Sequence, residues 1–538
     1  MPGHSKLRII RSGARFLLVA TLVAVPVAAY APCTLTAQDA HSVGSAQTVT
    51  SLRAYAEDPF AGFEAFVTGV MEDWTIPGVA VGVIRDGEVL LARGFGYRDI
   101  EAELPVSEHT TMAIGSNSKS FTVTLMGMLV DQGKLEWDRP VRDYLPDFRL
   151  HDEFATAEMT PRDLVTHQSG LPRHDNVWYG RTGSRAEIFA KLRYLEPNAS
   201  FRSRYQYQNL MFMTAGYLTE RITGEDWDDL IEQRIFAPLG MQRSNTSVRD
   251  TPGSGDYAVP YLLRDETLTR VPFRNIDAVG PAGSVNSNVT EMLAYIQAHI
   301  DGGVFEGRRL LSEETSANMQ QPQFAMPGES EFTELGQASY GLGLRVSSYR
   351  GHKMVAHGGG IDGFISSMSW LPREKIGVMV LTNRSGDMNP VPVMIAYNVY
   401  DRLLGLDPVD WNARNLELRD EQRARAEKTR REQEAKRVSG TQPSHALAEY
   451  AGTYEHAGYG GMAIQVRDGR LVIVYEDFEL DLEHFHYDIF RITSPPNIVP
   501  VTGLVTFTTS ADGVVGAVSI PFEPNGTDIV FERAGSLR

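Results

Sequence analysis

Three short segments of the sequence carry side chains that could do covalent chemistry. The first, Gly115-Ser116-Asn117-Ser118-Lys119, directly precedes the apolar run 121–130. Residues three apart on a helix lie on one face, about one turn from each other, so Ser116 would place its hydroxyl beside an amine able to take its proton. The spacing alone is weak evidence, because a chain of 538 residues contains about one such pair by chance.

The second segment, Tyr205-Gln206-Tyr207-Gln208-Asn209, precedes the apolar run 210–218. One interpretation is structural: Asn209 caps a helix that Gly224 ends. The other is functional, with Tyr207 as a proton shuttle and Asn209 as an amide ligand for a substrate or for Lys119. Both can hold, because a residue at a helix start is fixed on one side and open on the other.

The third segment, His357-Gly358-Gly359-Gly360, combines an imidazole with a run of glycines. Such a run lets a ligand approach the backbone closely, at a cost in strand stability. A loose surface loop with a solvated histidine is the alternative. A phosphate cradle is disfavoured, because no Gly-Lys-Ser/Thr sequence follows.

The elements that would position these segments lie between residues 56 and 405. The β-branched run 79–84, the turn Asp86-Gly87 and the run 89–97 predict a hairpin, and runs 354–357, 365–371 and 376–381 are also typical of strands. Helical patterns cover 118–132, 161–166, 186–193, 210–223, 227–236 and 289–301, and a closing helix covers 390–404. These patterns predict an α+β fold, an α/β sandwich in which helices flank an antiparallel sheet and an all-helical block is inserted.

The order of the three segments resembles a known family. Ser116-x-x-Lys119, Tyr207-x-Asn209 and His357-x-Gly359 follow one another as in the serine β-lactamase/penicillin-binding-protein superfamily, in its class C-like branch of peptidase S12-type hydrolases. Three further stretches are similar: Ile76-Pro77-Gly78-Val79-Ala80, Leu164-Val165-Thr166-His167-Gln168-Ser169-Gly170-Leu171 and Pro281-Ala282-Gly283-Ser284-Val285. The resemblance covers about 350 residues.

The resemblance implies a role for each motif residue. Ser116 would attack a carbonyl and carry the acyl group. Lys119 would take the serine proton, although Tyr207 could be the base if positive neighbours stabilised its phenolate. The backbone N–H groups of Ser116 and Gly360 would bind the developing oxyanion. Gly360 and its neighbour Gly359 would lie on the glycine-rich strand.

His357 stands where many relatives carry Lys in a Lys-Thr-Gly strand, and this departure implies a charge that titrates near neutral pH. Activity would then depend on pH more sharply than in a relative with Lys. His167 and His174 suggest a metal site or a triad, but the resemblance places His167 in a structural loop before Ser169-Gly170, so the structural interpretation is favoured. No His-x-x-x-His or Cys/His cluster is present, so we predict no metal and no cofactor.

The N-terminal segment 1–37 predicts a secretory signal peptide, with a basic start, an apolar centre and a cleavage site after Ala37. Pro32 argues against a lipid anchor at Cys33, the one cysteine of the chain. We therefore expect an exported, periplasmic or extracellular protein without a disulfide or thiol nucleophile. The net charge of −17 argues against nucleic acid as a partner, and no later segment is apolar for long enough to span a membrane.

The chain changes character after residue 405. Residues 406–445 predict a solvated linker whose helix, 416–437, carries Glu–Arg and Glu–Lys pairs at i,i+4 spacing. Residues 446–538 show about eight short strand-like runs with hairpin signals, which predict a small all-β barrel resembling the lipocalin-like domains fused to such hydrolases. His484 and His486 alternate on one strand, which indicates a shared face rather than a metal pair.

These expectations favour an exported serine hydrolase that cleaves amide or ester bonds of a small-molecule or peptide substrate. Peptides with D-residues and esters rank above β-lactams by analogy with the family. The alternatives are a true β-lactamase and a penicillin-binding sensor that stays acylated. The sequence leaves the acyl donor and the oligomeric state open, and the barrel is expected to shield the active site or restrict substrate size.

Overall fold

The computed structural model describes residues 58–181, 183–328, 330–493, 501–523 and 526–535. The predicted signal peptide and Cys33 lie outside these residues. Within them, no helix is both long enough and apolar enough to cross a membrane.

A nine-stranded antiparallel sheet forms the centre of the first part of the described chain. Its first two strands make the predicted hairpin, and Asp86 (φ 50°) and Gly87 (φ 84°) both have the positive φ that a type I′ turn requires. The strands are β1 (Gly78–Arg85), β2 (Glu88–Asp99), β3 (Leu104–Pro105), β4 (Phe324–Ala325), β5 (Ser339–Tyr340), β6 (Arg345–Tyr349), β7 (His352–Ile361), β8 (Phe364–Leu371) and β9 (Ile376–Thr382). Their order across the sheet is β4-β5-β6-β7-β8-β9-β1-β2-β3. The first strand in the sequence, β1, therefore pairs with the last, β9.

Both faces of this sheet are covered, as the uninterrupted apolar run of β1 requires. Val79, Val81 and Val83 face one helical layer, whereas Ala80 and Ile84 face the other. The principal helices are α1 (Phe63–Asp73), α2 (Ser118–Asp131), α3 (Asn209–Thr223), α4 (Val289–Ile300), α5 (Val391–Leu404) and α6 (Trp411–Glu434). Helices α1 and α5 pack on the first face, and α2, α3 and α4 belong to the core on the second.

Shorter elements complete the inserted helical block and its margins. The short α-helices are Glu153–Glu158, Pro161–Leu164, Arg185–Lys191, Trp227–Ile231, Ala237–Leu239, Gly280–Gly283, Glu313–Met319 and Leu447–Tyr450, with a π-helix at Glu232–Phe236. Single-turn 3₁₀ helices cover Gly115–Asn117, Val141–Asp143, Asp175–Val177, Leu192–Tyr194, Thr251–Ser254 and Asp277–Val279. Small strand groups pair Met112–Ala113 with Asn286–Ser287, Val304–Phe305 with Arg308–Arg309, and Tyr261–Arg264 with Thr267–Arg270 and Arg384–Gly386.

The linker helix α6 begins five residues before the predicted start. Asp410 caps it by accepting a hydrogen bond from the Ala413 N–H at 2.9 Å. Trp411 is buried, and its indole N–H points to the Asp401 carboxylate of α5 at 3.3 Å. From Asp420 onward the helix is exposed, and its Glu421–Arg425 pair at 3.0 Å has the predicted i,i+4 spacing.

The C-terminal residues form a closed eight-stranded barrel. Its strands are β10 (Gly452–His456), β11 (Gly460–Arg467), β12 (Arg470–Tyr475), β13 (Phe478–His486), β14 (Ile489–Thr493), β15 (Leu504–Thr509), β16 (Val515–Ile520) and β17 (Ile529–Arg533). The side chains of Tyr454, Tyr475, Phe507 and Phe531 are buried in its aromatic core. The predicted α+β fold with an additional β-barrel is confirmed.

Candidate active site

Ser116 lies on a tight turn that leads directly into a deeply buried helix. The turn is the 3₁₀ helix Gly115–Asn117, and every residue of α2 from Ser118 to Leu129 is buried. Ser118, the first residue of α2, has a structural role: its hydroxyl donates to Gly115 O at 2.7 Å and accepts from Val285 N at 3.0 Å. Ser116 itself is partly exposed, so its hydroxyl is the one open to a ligand.

Lys119 lies under Ser116, as the three-residue spacing predicts. Its Nζ is 3.1 Å from Ser116 Oγ and donates hydrogen bonds to Asn209 Oδ1 and Ala282 O, each at 2.7 Å. The side chain has no exposed surface. Burial, reinforced by the positive charge of Arg173, holds the pKa of Lys119 well below its usual range, although Asp175 acts in the opposite direction.

Tyr207 lies on the other side of Lys119, immediately before α3. The amine is 4.8 Å from the centroid of its ring, and the guanidinium of Arg173 is 5.1 Å from the same centroid. The His167 ring packs against it with the centroids 4.3 Å apart. Burial raises the pKa of Tyr207 above its usual value, and a hydrogen bond with Ser116 and the charge of Arg173 offset only part of that effect.

Asn209 connects Lys119 to two residues that the sequence analysis did not identify. Its side-chain amide donates to Asp175 Oδ1 at 2.9 Å, while its oxygen accepts from Lys119. Arg173 forms an ion pair with the second carboxylate oxygen of Asp175 at 2.5 Å. Helix capping comes instead from Gln208, whose side chain accepts from the Leu210 N–H at 2.7 Å. Neither Arg173 nor Asp175 has a local sequence signal, because the role of each comes from contacts with segments distant in the chain.

His357 lies on β7, with its ring centroid 6.5 Å from that of Tyr207, and both of its ring nitrogens have partners within the protein. Its Nδ1 is 2.6 Å from Gly358 O, which can only accept, so this nitrogen carries the proton. Its Nε2 is 2.8 Å from the Tyr340 hydroxyl. Burial lowers the pKa of His357 to about 3, which contradicts the expectation of a titration near neutral pH.

The glycines of β7 allow the strand to contact the Ser116 turn. A Cβ at Gly359 would lie 1.8 Å from Ile114 O, and one at Gly115 would lie 2.6 Å from Gly360 N. Gly115 also has a positive φ of 53°. Ser366 on β8 fixes the contact, because its hydroxyl donates to Ile114 O at 2.8 Å and accepts from Asn117 Nδ2 at 2.8 Å.

Three other histidines that the sequence analysis singled out have structural partners. His167 is buried, and its Nδ1 accepts from the Gln208 N–H at 3.0 Å. His484 Nε2 is 2.9 Å from Tyr487 O, and His486 Nδ1 accepts from the Val438 N–H at 3.2 Å. Among the described residues, no three His, Cys, Asp or Glu side chains are grouped so that they could hold a metal ion.

A comparison with protein families gives the affiliation of the chain. Residues 63–399 match the family model described as Beta-lactamase. The chain belongs to the beta-lactamase family. Residues 436–533 match a second model, described as a domain of unknown function, DUF3471. The predicted membership of the serine β-lactamase/penicillin-binding-protein superfamily is thereby confirmed.

Curated relatives are hydrolases. The unguisins hydrolase ungD of Aspergillus violaceofuscus is 29% identical over 518 residues, which cover 87% of this chain and 88% of the relative. A D-aminopeptidase of Brucella anthropi is 28% identical over 352 residues, which cover 62% of this chain and 61% of the relative. The protein is a serine hydrolase of the beta-lactamase family.

Solved structures share the fold. A penicillin-binding protein homologue from Pyrococcus abyssi, described as octameric, has a TM-score of 0.59 at 24% identity and covers 88% of this chain and 99% of its own. A class C beta lactamase from Rhodobacter sphaeroides has a TM-score of 0.52 at 24% identity and covers 64% of this chain and 99% of its own. These two likenesses support the fold alone.

Proposed function

We propose that this serine hydrolase cleaves amide bonds of small peptides, particularly those with D-residues, or ester bonds, through an acyl-enzyme on Ser116. The observation that carries the proposal is the buried Lys119 amine 3.1 Å from Ser116 Oγ. An amine held neutral by burial can take the serine proton, which a solvated ammonium cannot do. The D-aminopeptidase relative supports an amide substrate with a D-residue.

The proposed reaction begins when Ser116 Oγ attacks the substrate carbonyl and transfers its proton to Lys119 Nζ. The N–H groups of Ser116 and Gly360 bind the oxyanion; two backbone donors of this kind are typically worth a few kcal/mol each. The Tyr207 hydroxyl then gives its proton to the leaving amine or alcohol, and the acyl group stays on Ser116. Asn209 holds the amine of Lys119 in place, and His357 supports the strand of Gly359 and Gly360.

Hydrolysis of the acyl-enzyme reverses these proton movements. The Tyr207 phenolate takes a proton from the attacking water, and Ser116 Oγ leaves the carbonyl carbon and regains its proton from Lys119. The raised pKa of Tyr207 favours the neutral phenol in the resting site, which supports Lys119 rather than Tyr207 as the first base.

The proposal is tested by intact mass spectrometry after mixing the protein with a fluorophosphonate or a labelled penicillin. We expect a stoichiometric adduct in the wild type and none in Ser116→Ala. Slow loss of the penicillin adduct indicates turnover, whereas a persistent adduct favours a sensor. Absence of fluorophosphonate labelling in the wild type contradicts the proposal.

A substrate panel then separates the acyl donors. D-amino-acid amides, the matching L-amides, p-nitrophenyl esters and nitrocefin are compared at one pH, with Ser116→Ala as the blank. We expect the D-amides and esters to be cleaved faster than nitrocefin. Preferred hydrolysis of nitrocefin identifies a β-lactamase instead.

We also propose that the protein is exported after cleavage behind Ala37. Expression of the full chain in a Gram-negative host, followed by separation of the periplasm, tests this. The mature protein in that fraction is expected to begin at Gln38. Recovery of the uncleaved chain from the cytoplasm contradicts the proposal.

A further inference from the structure

The segment from Pro172 to Arg181, here called the bridging segment, contacts the candidate active site on one side and the C-terminal barrel on the other. Its residues alternate between the two. Arg173 and Asp175 face the Tyr207 ring and the Asn209 amide, whereas His174 and Asn176 make hydrogen bonds to the barrel. One short segment therefore makes both the contacts with the barrel and the contact with Asn209.

The contact with the barrel is buried and polar. The Tyr459 hydroxyl is 2.7 Å from His174 Nδ1, and both side chains are almost completely buried. His174 Nε2 lies 3.1 Å from Glu196 O, which can only accept, so in the neutral ring Nδ1 accepts the Tyr459 proton. Burial lowers the pKa of His174 to about 4, in agreement with a neutral ring.

Further hydrogen bonds fix the bridging segment along its length. The Tyr475 hydroxyl donates to Asn176 O at 2.8 Å, and Asn176 Nδ2 donates to Phe522 O at 3.2 Å. Arg181 donates to Tyr459 O and, at 2.9 Å, to the Tyr475 hydroxyl. Buried hydrogen bonds to backbone oxygens constrain position strongly, because breaking one leaves a desolvated group without a partner.

The contact with the candidate active site is equally direct. Asp175 Oδ1 accepts from Asn209 Nδ2 at 2.9 Å and from the Trp178 indole N–H at 3.0 Å. Asn209 Oδ1 in turn accepts from Lys119 at 2.7 Å. Three consecutive contacts thus connect the barrel to the Lys119 amine: Tyr459 to the bridging segment, Asp175 to Asn209, and Asn209 to Lys119.

We propose that the C-terminal barrel positions Lys119 for catalysis by holding the bridging segment, with Tyr459 and Asp175 as positioning residues. This inference rests on the proposed function of Ser116 and Lys119. When the segment moves away, Lys119 gains access to water and loses two nearby charges, that of Arg173, which lowers its pKa, and that of Asp175, which raises it. The effect of Arg173 is the larger of the two, so the net change favours the ammonium form of Lys119. Removal of the barrel contacts therefore slows attack by Ser116 at low and neutral pH and leaves it unchanged at high pH.

The experiment measures the rate constant of fluorophosphonate inactivation from pH 5 to pH 10 in the full chain. The variants are Tyr459→Phe, Tyr475→Phe and their combination, and Tyr454→Phe is the matched control. The Tyr454 hydroxyl donates at 2.8 Å to Tyr450 O, which lies outside the bridging segment. Fluorophosphonate is small, so its reaction reports Ser116 reactivity rather than substrate fit.

We expect the acid limb of the double variant to move up by about one pH unit, which makes inactivation about tenfold slower on that limb. Rates at the alkaline end should agree with the wild type, whereas misfolding would lower them at every pH. Glu523 lies 3.2 Å from the Tyr459 hydroxyl, and burial raises its pKa to about 7, so the profiles are repeated with Glu523→Gln in every variant. The shift should persist there.

The outcomes separate the two proposals. Absence of labelling in the wild type contradicts the function proposed for Ser116 itself. Normal wild-type labelling with coinciding profiles for the double variant and Tyr454→Phe overturns the positioning role alone. If circular dichroism shows that the double variant does not fold, the two single variants decide, and coinciding profiles for both overturn the inference.

Discussion

Arg173 is the residue that most clearly modifies the charge state of Lys119. It is a neighbour of the lysine without being its hydrogen-bond partner, and its guanidinium lowers the pKa of the amine while Asp175 raises it. Arg173 and Asp175 form an ion pair at 2.5 Å, so their opposite charges shift the pKa of Lys119 in opposite directions. Substitution of Arg173 therefore leaves the negative charge alone beside the site.

Arg173→Gln should raise the pKa of Lys119 and move the acid limb of the inactivation profile up by about half to one pH unit. The sign follows because the ammonium is stabilised once the positive neighbour is gone, so a higher pH is needed to produce the neutral base. Fluorophosphonate inactivation rates against pH measure the shift. Arg221→Gln, an exposed arginine near the end of α3, is the control. A downward shift contradicts the assignment of Lys119 as the base.

His357 should contribute no inflection to the activity profile between pH 5 and pH 8. Its pKa of about 3 keeps the ring neutral throughout that range. His357→Gln is expected to lower the inactivation rate, because Tyr340 and Gly358 lose their hydrogen-bond partner, the imidazole. The midpoint of the acid limb should stay at its wild-type pH. Loss of an inflection near pH 6 to 7 in the variant would show that the imidazole titrates there.

At the scale of elements, the contact between β7 and the Ser116 turn depends on glycines that are not interchangeable. Gly359→Ala should abolish acylation, since its Cβ would lie 1.8 Å from Ile114 O and force the turn away from the strand. Gly358→Ala is the matched control, because a Cβ at this position would lie 3.7 Å from Ser366 O, an ordinary van der Waals contact. Labelling of both variants with fluorophosphonate, after their folding is checked by circular dichroism, compares them. Equal labelling would contradict this geometry.

The sequence located the elements whose signals are local. Local composition restricts the backbone conformation in three places: the Asp86-Gly87 turn, the apolar run after Lys119, and the glycines of β7. The bridging segment has no such signal, because its role comes from contacts with Asn209 on one side and the barrel on the other. The start of α6 was placed five residues late for the same reason: Trp411 is buried by α5, which the sequence alone does not reveal.

The pH expectation for His357 was wrong for a related physical reason. Residue type gives the ordinary pKa of an imidazole, but burial in the folded chain decides its actual value. The glycines that follow His357 predict a close approach of the backbone and do not reveal how deeply the imidazole is buried. The buried ring of Tyr340, 17 positions earlier in the chain, closes the site.

At the scale of the whole molecule, buried neutral histidines should limit stability in acid. Among the described residues, four histidines are buried, and burial lowers the pKa of each: well below the usual value for His167, to about 4 for His174 and His299, and to about 3 for His357. Below pH 6.5 these imidazoles bind protons in the unfolded chain and stay neutral in the folded chain. Their contribution to the free energy of unfolding is therefore complete above pH 6.5 and is lost as the pH falls.

His299 allows this to be measured away from the candidate active site. Its ring stacks on Trp370 with the centroids 5.5 Å apart, and its side chain is buried. Between pH 7 and pH 5 the ring should cost the wild type about 2 kcal/mol of unfolding free energy, and His299→Leu should avoid that loss because leucine binds no proton. Urea unfolding at the two pH values measures the difference. His151→Leu is the control, since this exposed imidazole loses little hydration on folding. If His299→Leu and the wild type lose the same stability between the two pH values, the buried ring is not the source of the acid sensitivity.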